Sequence, residues 1–108
     1  MPSSHSVSVV GRQIRQLREM KGLSLEKVGV AIRIDESSSR ARISRYELGV
    51  HEPPVATARL IANALGVSLP YFYCEDDRIA ELLLALHKLD KIERDQKVDL
   101  FFGQLAAD

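Results

Sequence analysis

A chain of 108 residues, 45% hydrophobic and 28% charged, has the balance of a water-soluble domain with one modest core. Its longest apolar run, Ile79 to Leu86, is interrupted by Glu81, and Met1 to Ser6 lacks the basic and apolar blocks of a secretion signal, so a cytoplasmic address without membrane contact is expected. A single cysteine, Cys74, excludes an intrachain disulfide or multi-cysteine zinc site, and His5 and His87 lack partners at ligand spacing, so neither metal nor cofactor is expected.

The formal net charge of zero conceals an asymmetry. Residues 1–49 carry nine bases against five acids, whereas residues 50–108 carry six bases against ten acids. Such a split suggests that the first half faces a polyanion and the second half does not.

In chain order, the Ser-rich stretch 1–8 has no apolar period and reads as a flexible arm. Val10, Ile14 and Leu17 then recur at spacings of four and three, predicting helix 1 from about Val9 to a stop at Gly22. Ser24 is a candidate N-cap for helix 2, which the pattern carries from Leu25 to about Arg33. Gly29 in its middle marks close approach of a neighbouring helix. The polar stretch 33–39 reads as a loop leading to helix 3, which runs from Arg40 to Leu48 and stops at Gly49.

Projected on a helix, Ile43, Tyr46 and Glu47 share an inner side, while Arg40, Ala41, Ser44, Arg45 and Leu48 form an outward arc flanked by Arg42. After the turn through Pro53 and Pro54, helix 4 spans Val55 to Leu65 with Ala58, Ile61, Ala62 and Leu65 inward. Ser68 is a candidate cap for a short fifth helix through Tyr73, with Tyr71 to Tyr73 assigned to core and interface. The acidic cluster Glu75 to Asp77 suits the start of a further helix, with a stripe of Ile79, Leu82, Leu83, Leu86 and Leu89 and with Leu84 pointing elsewhere. A last helix from about Lys91 to Leu105 groups Val98, Phe101, Phe102 and Leu105. No stretch reads as a strand, so the fold class is all-α.

Two helices joined by a turn, the second with arginines on its outer face, match what reading a DNA major groove requires. Guanidinium offers paired donors that fit the O6 and N7 acceptors of guanine, Ser44 is short enough to allow close approach, and Ala41 can touch a thymine methyl. No Gly-rich phosphate loop, metal-ligand spacing or nucleophile-base constellation is present, so no enzymatic activity is expected.

The segments that complete this pattern are Ile14-Arg15-Gln16-Leu17-Arg18, Lys21-Gly22-Leu23-Ser24, Ile43-Ser44-Arg45-Tyr46-Glu47-Leu48-Gly49 followed by Pro53-Pro54, and Leu60-Ile61-Ala62-Asn63-Ala64-Leu65-Gly66-Val67. With them, Gly11 to about Asp76 resembles the Xre family, the helix-turn-helix domain of the phage Cro and lambda-type repressors. The resemblance implies a five-helix lambda-repressor-like DNA-binding domain over residues 9–75, followed by a C-terminal helical extension, residues 76–108. It implies base contacts from Arg40, Ala41, Ser44 and Arg45, and phosphate contacts from Ser24, Lys27, Val50 and His51; Arg42, flanking the outward arc, is assigned to phosphate as well. It also implies a structural ion pair between Arg18 and Glu47. The link between helices 2 and 3 is longer here than in the compact repressors.

One recognition helix reads too few base pairs for selectivity, so a homodimer on double-stranded DNA is expected, with residues 76–108 joining two subunits or docking a protein partner. The function so anticipated is a transcriptional regulator, a repressor on a palindromic operator; the alternative is an antitoxin-like adaptor for which DNA is secondary.

Overall fold

The computed structural model describes residues 8–107 as α1 (Val9–Met20), α2 (Leu25–Ala31), α3 (Glu36–Leu48), α4 (Val55–Leu65), a 3-10 helix (Leu69–Tyr73), α5 (Asp77–Lys88) and α6 (Lys91–Ala106). No strand occurs among the described residues, and the fold is all-helical. Of the expected arm, residues 1–7 lie outside the described residues. Ser8 caps α1, its Oγ accepting the Gly11 N–H at 3.0 Å.

The largest departure from the sequence pattern lies between α2 and α3. Helix 2 ends at Ala31 rather than near Arg33, and α3 begins at Glu36 rather than Arg40. The expected loop 33–39 is therefore a turn of four residues, Ile32 to Asp35, and the added length forms an extra first turn of α3. Ser39 explains why this serine-rich stretch is helical. Fully buried, it packs against Gly29, and its hydroxyl donates to the carbonyls of Ile34 and Asp35 at 3.1 and 2.9 Å. The backbone approach anticipated from Gly29 is that of α3.

Fifteen buried apolar side chains form the core, with Ile14, Val28, Ile43, Ile61, Leu65 and Phe72 fully enclosed, and all but Ala80 lie between Val10 and Phe72. Each large one removed from water contributes roughly 1.5–3 kcal/mol. Gly11 brings α1 onto α3: a Cβ there would stand 2.5 Å from the Tyr46 carbonyl oxygen and 2.6 Å from that of Glu47. Gln13, also buried, turns its side-chain amide toward the Tyr71 carbonyl at 3.5 Å, linking α1 to the 3-10 helix. Ser68 precedes that helix but makes no side-chain cap.

Helix α5 attaches through Ala80, which is buried, and Leu84, packed at the core edge, whereas Ile79 and Leu82 are exposed. Of the expected stripe, Leu83, Leu86 and Leu89 are half-buried, while Ile79 and Leu82 are exposed and Leu84, expected to point elsewhere, packs against the core. Ala80, 3% exposed, is the buried residue where α5 meets the 3-10 helix. Burial, aided by the Asp77 carboxylate at the start of α5, pushes the Tyr71 phenol above its ordinary value. Cys74 is half-buried at this junction, its thiol donating to the Asp76 carbonyl at 3.3 Å.

The bend from α5 to α6 is built by two side chains. Arg94 donates to the carbonyls of Leu86 in the last turn of α5, at 3.0 Å, and of its C-cap Leu89, at 2.9 Å, while Asp90 accepts the Glu93 N–H at 2.8 Å. Beyond the bend α6 contains no buried residue.

Candidate nucleic-acid interface

Helix α3 has an anchored side and a free side. Ser39, Ile43, Tyr46 and Glu47 face inward and are buried. Arg18 of α1 meets Glu47 in a two-pronged ion pair, Nε donating to Oε2 at 2.6 Å and Nη2 to Oε1 at 3.0 Å. Its remaining Nη1 donates to the Leu23 carbonyl at 2.9 Å, so one guanidinium fixes α3 against both α1 and the α1–α2 turn. The hydrogen bond to Glu47 raises the Arg18 pKa further above an already high value, against the opposing effect of burial. This pair is structural in geometry: Glu47 is 5% exposed and Arg18 14%.

On the opposite side, Ser37, Ser38, Ala41, Arg42 and Arg45 succeed one another at helical spacing and line one open, solvent-facing surface. Ser44 is half-buried at its edge. Arg40 is exposed but leans toward α2, where its Nη1 lies 3.6 Å from Glu26 Oε1. Of the four residues singled out for base contact, the structure therefore brings Ala41 and Arg45 together, sets Ser44 beside them, and turns Arg40 to the α2 side. Ser37 and Ser38 join this face unforeseen. The local signal for them was Glu36, an acid suited to a helix's first turn, while the Asp35 side chain makes no cap hydrogen bond.

Of the residues singled out for phosphate contact, Arg42 lies on this face, whereas Ser24 and Lys27 border a separate open surface of α2 with Glu26 and Glu36. Ser24 caps α2 by accepting the Lys27 N–H at 3.1 Å, and the Lys27 side chain is exposed. After α3, Gly49 takes the left-handed conformation, φ 78°, and the N–H groups of Val50 and His51 both donate to the Arg45 carbonyl, at 3.0 and 3.4 Å. Those amides are consequently committed within the chain, leaving the exposed His51 imidazole as the candidate donor of this turn. It borders a shallow groove with Arg42, Arg45 and Glu52. Among the described residues, no cluster of His, Cys, Asp and Glu side chains is grouped to hold a metal ion, and no helix is long and apolar enough to cross a membrane.

This geometry agrees with comparisons to known proteins. The profile of the helix-turn-helix family matches residues 14–72, the span from the middle of α1 through Phe72. The crystal structure of the transcriptional regulator BswR superposes with a TM-score of 0.78 at 33% sequence identity, covering 90% of this chain and 95% of that one. No curated protein sequence matches the chain.

Proposed function

The chain belongs to the Xre-type helix-turn-helix family of DNA-binding transcription regulators, and from that premise we propose that it is a repressor that occupies a palindromic operator as a dimer, with α3 in the major groove. The observation that carries this reading is the division of α3. Its inner side is held by the Arg18–Glu47 pair, and its outer side presents Ser38, Ala41 and Arg45 without any packing role.

In the proposed complex, Arg45 makes a two-pronged contact to guanine, worth about 1–3 kcal/mol of discrimination. Ala41 and Ser44 meet base edges, and Arg40 joins them by exchanging Glu26 for DNA. Lys27, Arg42, His51 and the Ser24 end of α2 border the phosphates, which position the helix without reading sequence. A repressor of this kind acts by occupancy and requires no catalytic group.

Two copies are needed to place two such helices on successive turns of the duplex, about 34 Å apart. Residues 76–108 are the proposed junction, because α6 leaves Ile92, Leu100, Phe102 and Leu105 between 52% and 77% exposed. That same surface favours the second reading, an adaptor that docks another protein; co-purification of a stoichiometric partner would select it.

Selection of bound sequences from a random double-stranded pool tests the first reading. The expected product is an inverted repeat with half-sites one helical turn apart. Recovery of no enriched sequence would overturn it.

A further inference from the structure

Four described residues have a left-handed backbone: Gly22, Gly49, Gly66 and Arg33. Glycine adopts that conformation without steric penalty, whereas at φ 70° Arg33 sets its Cβ against the following carbonyl. The turn imposes this φ. Arg33 N–H donates to the Val30 carbonyl at 2.9 Å and Ile34 N–H to the Gly29 carbonyl at 3.0 Å, the two bonds that close a helix whose next residue is left-handed. A glycine would satisfy both bonds without strain, so the reason for an arginine lies in its side chain.

That side chain borders an open cleft of about 330 Å³, shared with Asp35, with Ser38 and Arg42 of α3, and with Thr57 and Leu60 of α4. Arg42 also borders the outer surface of α3 beside Arg45. Arg45, Arg42 and Arg33 therefore continue one positive edge from the exposed face of α3 round toward α4. Among the described residues, neither Arg33 nor Arg42 has a carboxylate within ion-pair distance; Asp35 is the one acid lining the cleft, and Glu52 borders Arg42 in the neighbouring groove. Two guanidiniums and two hydroxyls around an open cleft suit an anion with several acceptor oxygens.

We propose that Arg33 and Arg42 clamp one phosphate of the DNA strand that borders α3, with Ser38 and Thr57 as auxiliary donors. The clamp rests on the reading of α3 as the DNA-contacting helix. It accounts for the strained arginine: the turn's other charged residue is the acidic Asp35, and Arg33 adds a guanidinium to the cleft that Arg42 borders.

The test uses the full chain and a random-sequence duplex, on which phosphate contacts dominate, with affinity measured across a salt series. Arg33→Gly should raise the melting temperature by relieving strain while weakening binding and reducing the slope of log affinity against log salt by about 0.9, one phosphate's share. Arg33→Lys keeps the charge and should retain the wild-type slope. An Arg33→Gly protein that melts higher yet binds with unchanged affinity and slope overturns the clamp and leaves the reading of α3 intact. Absence of duplex binding by the wild type overturns both. Arg45→Ala, assayed on a selected sequence, should lose discrimination whether or not the clamp exists, which separates the two claims.

Discussion

At the scale of single residues, what positions α3 is a charge pair that water scarcely reaches. Removing one partner of such a pair leaves the other desolvated, and the loss exceeds what the pair itself contributes. Glu47→Ala should therefore destabilise the chain by about 3 kcal/mol or more, and Arg18→Ala similarly, each read as a lower unfolding midpoint in urea. An unchanged midpoint would mean that packing of Ile43 and Tyr46 alone fixes the helix. Gly11 offers an independent check on the α1–α3 contact. Glycine to alanine within a helix ordinarily gains roughly 1 kcal/mol. At Gly11 the obstacles are backbone carbonyls that cannot rotate away, so Gly11→Ala should lower the melting temperature; a rise would mean that the two helices separate at little cost.

At the scale of elements, the helix ends decide what was legible in the sequence. Apolar residues at spacings of three and four, closed by glycines at 22, 49 and 66, delimit α1 and α4 and place the end of α3. The start of α3 was hidden for two physical reasons. The left-handed position that ends α2 holds Arg33 instead of glycine, and three successive serines favour caps and turns locally. Only the tertiary contact of Ser39 with Gly29 turns them into helix, and that contact has no local signature. Helix α5 differs in another way, because side-chain size suggested Ile79 as the inward residue where Ala80 is the one buried. The outward face of α3 was legible in Ala41 and Arg45, but Ser37 and Ser38 depended on the hidden start, and the lean of Arg40 toward Glu26 depends on how α2 crosses α3.

The start of α6 gives a pH-dependent consequence at this same scale. The Glu93 backbone N–H holds the Asp90 carboxyl below its ordinary value of 3.8. A depressed carboxyl contributes stability that is complete above its unfolded pKa and is lost as pH falls through the folded one. The first turn of α6 should accordingly stay ordered at pH 5 and fray only in acid below about 3.8, seen as loss of the Glu93 amide's protection in NMR. Asp90→Asn, a cap without a charge, should remove that acid transition; its persistence would assign the transition to another group.

At the scale of the whole molecule, the Cα radius of gyration is 15.9 Å, whereas a compact chain of this length has about 13 Å. The excess accords with a helix that projects from the core instead of joining it. Because α6 has no buried residue, replacing Phe102 and Leu105 by aspartate should leave the melting of the core unchanged while abolishing dimers in light scattering. A dimer that survives both substitutions would move the junction away from this end of α6.

Reading by α3 is the central claim, and the most direct measurement compares wild type with Arg45→Ala on a selected operator and on random duplex, at matched salt. Loss of about 1–3 kcal/mol on the operator, with affinity for random DNA nearly unchanged, is the predicted result. An equal loss on both sequences would contradict it, making Arg45 a phosphate contact and removing the one two-pronged guanine contact proposed for α3.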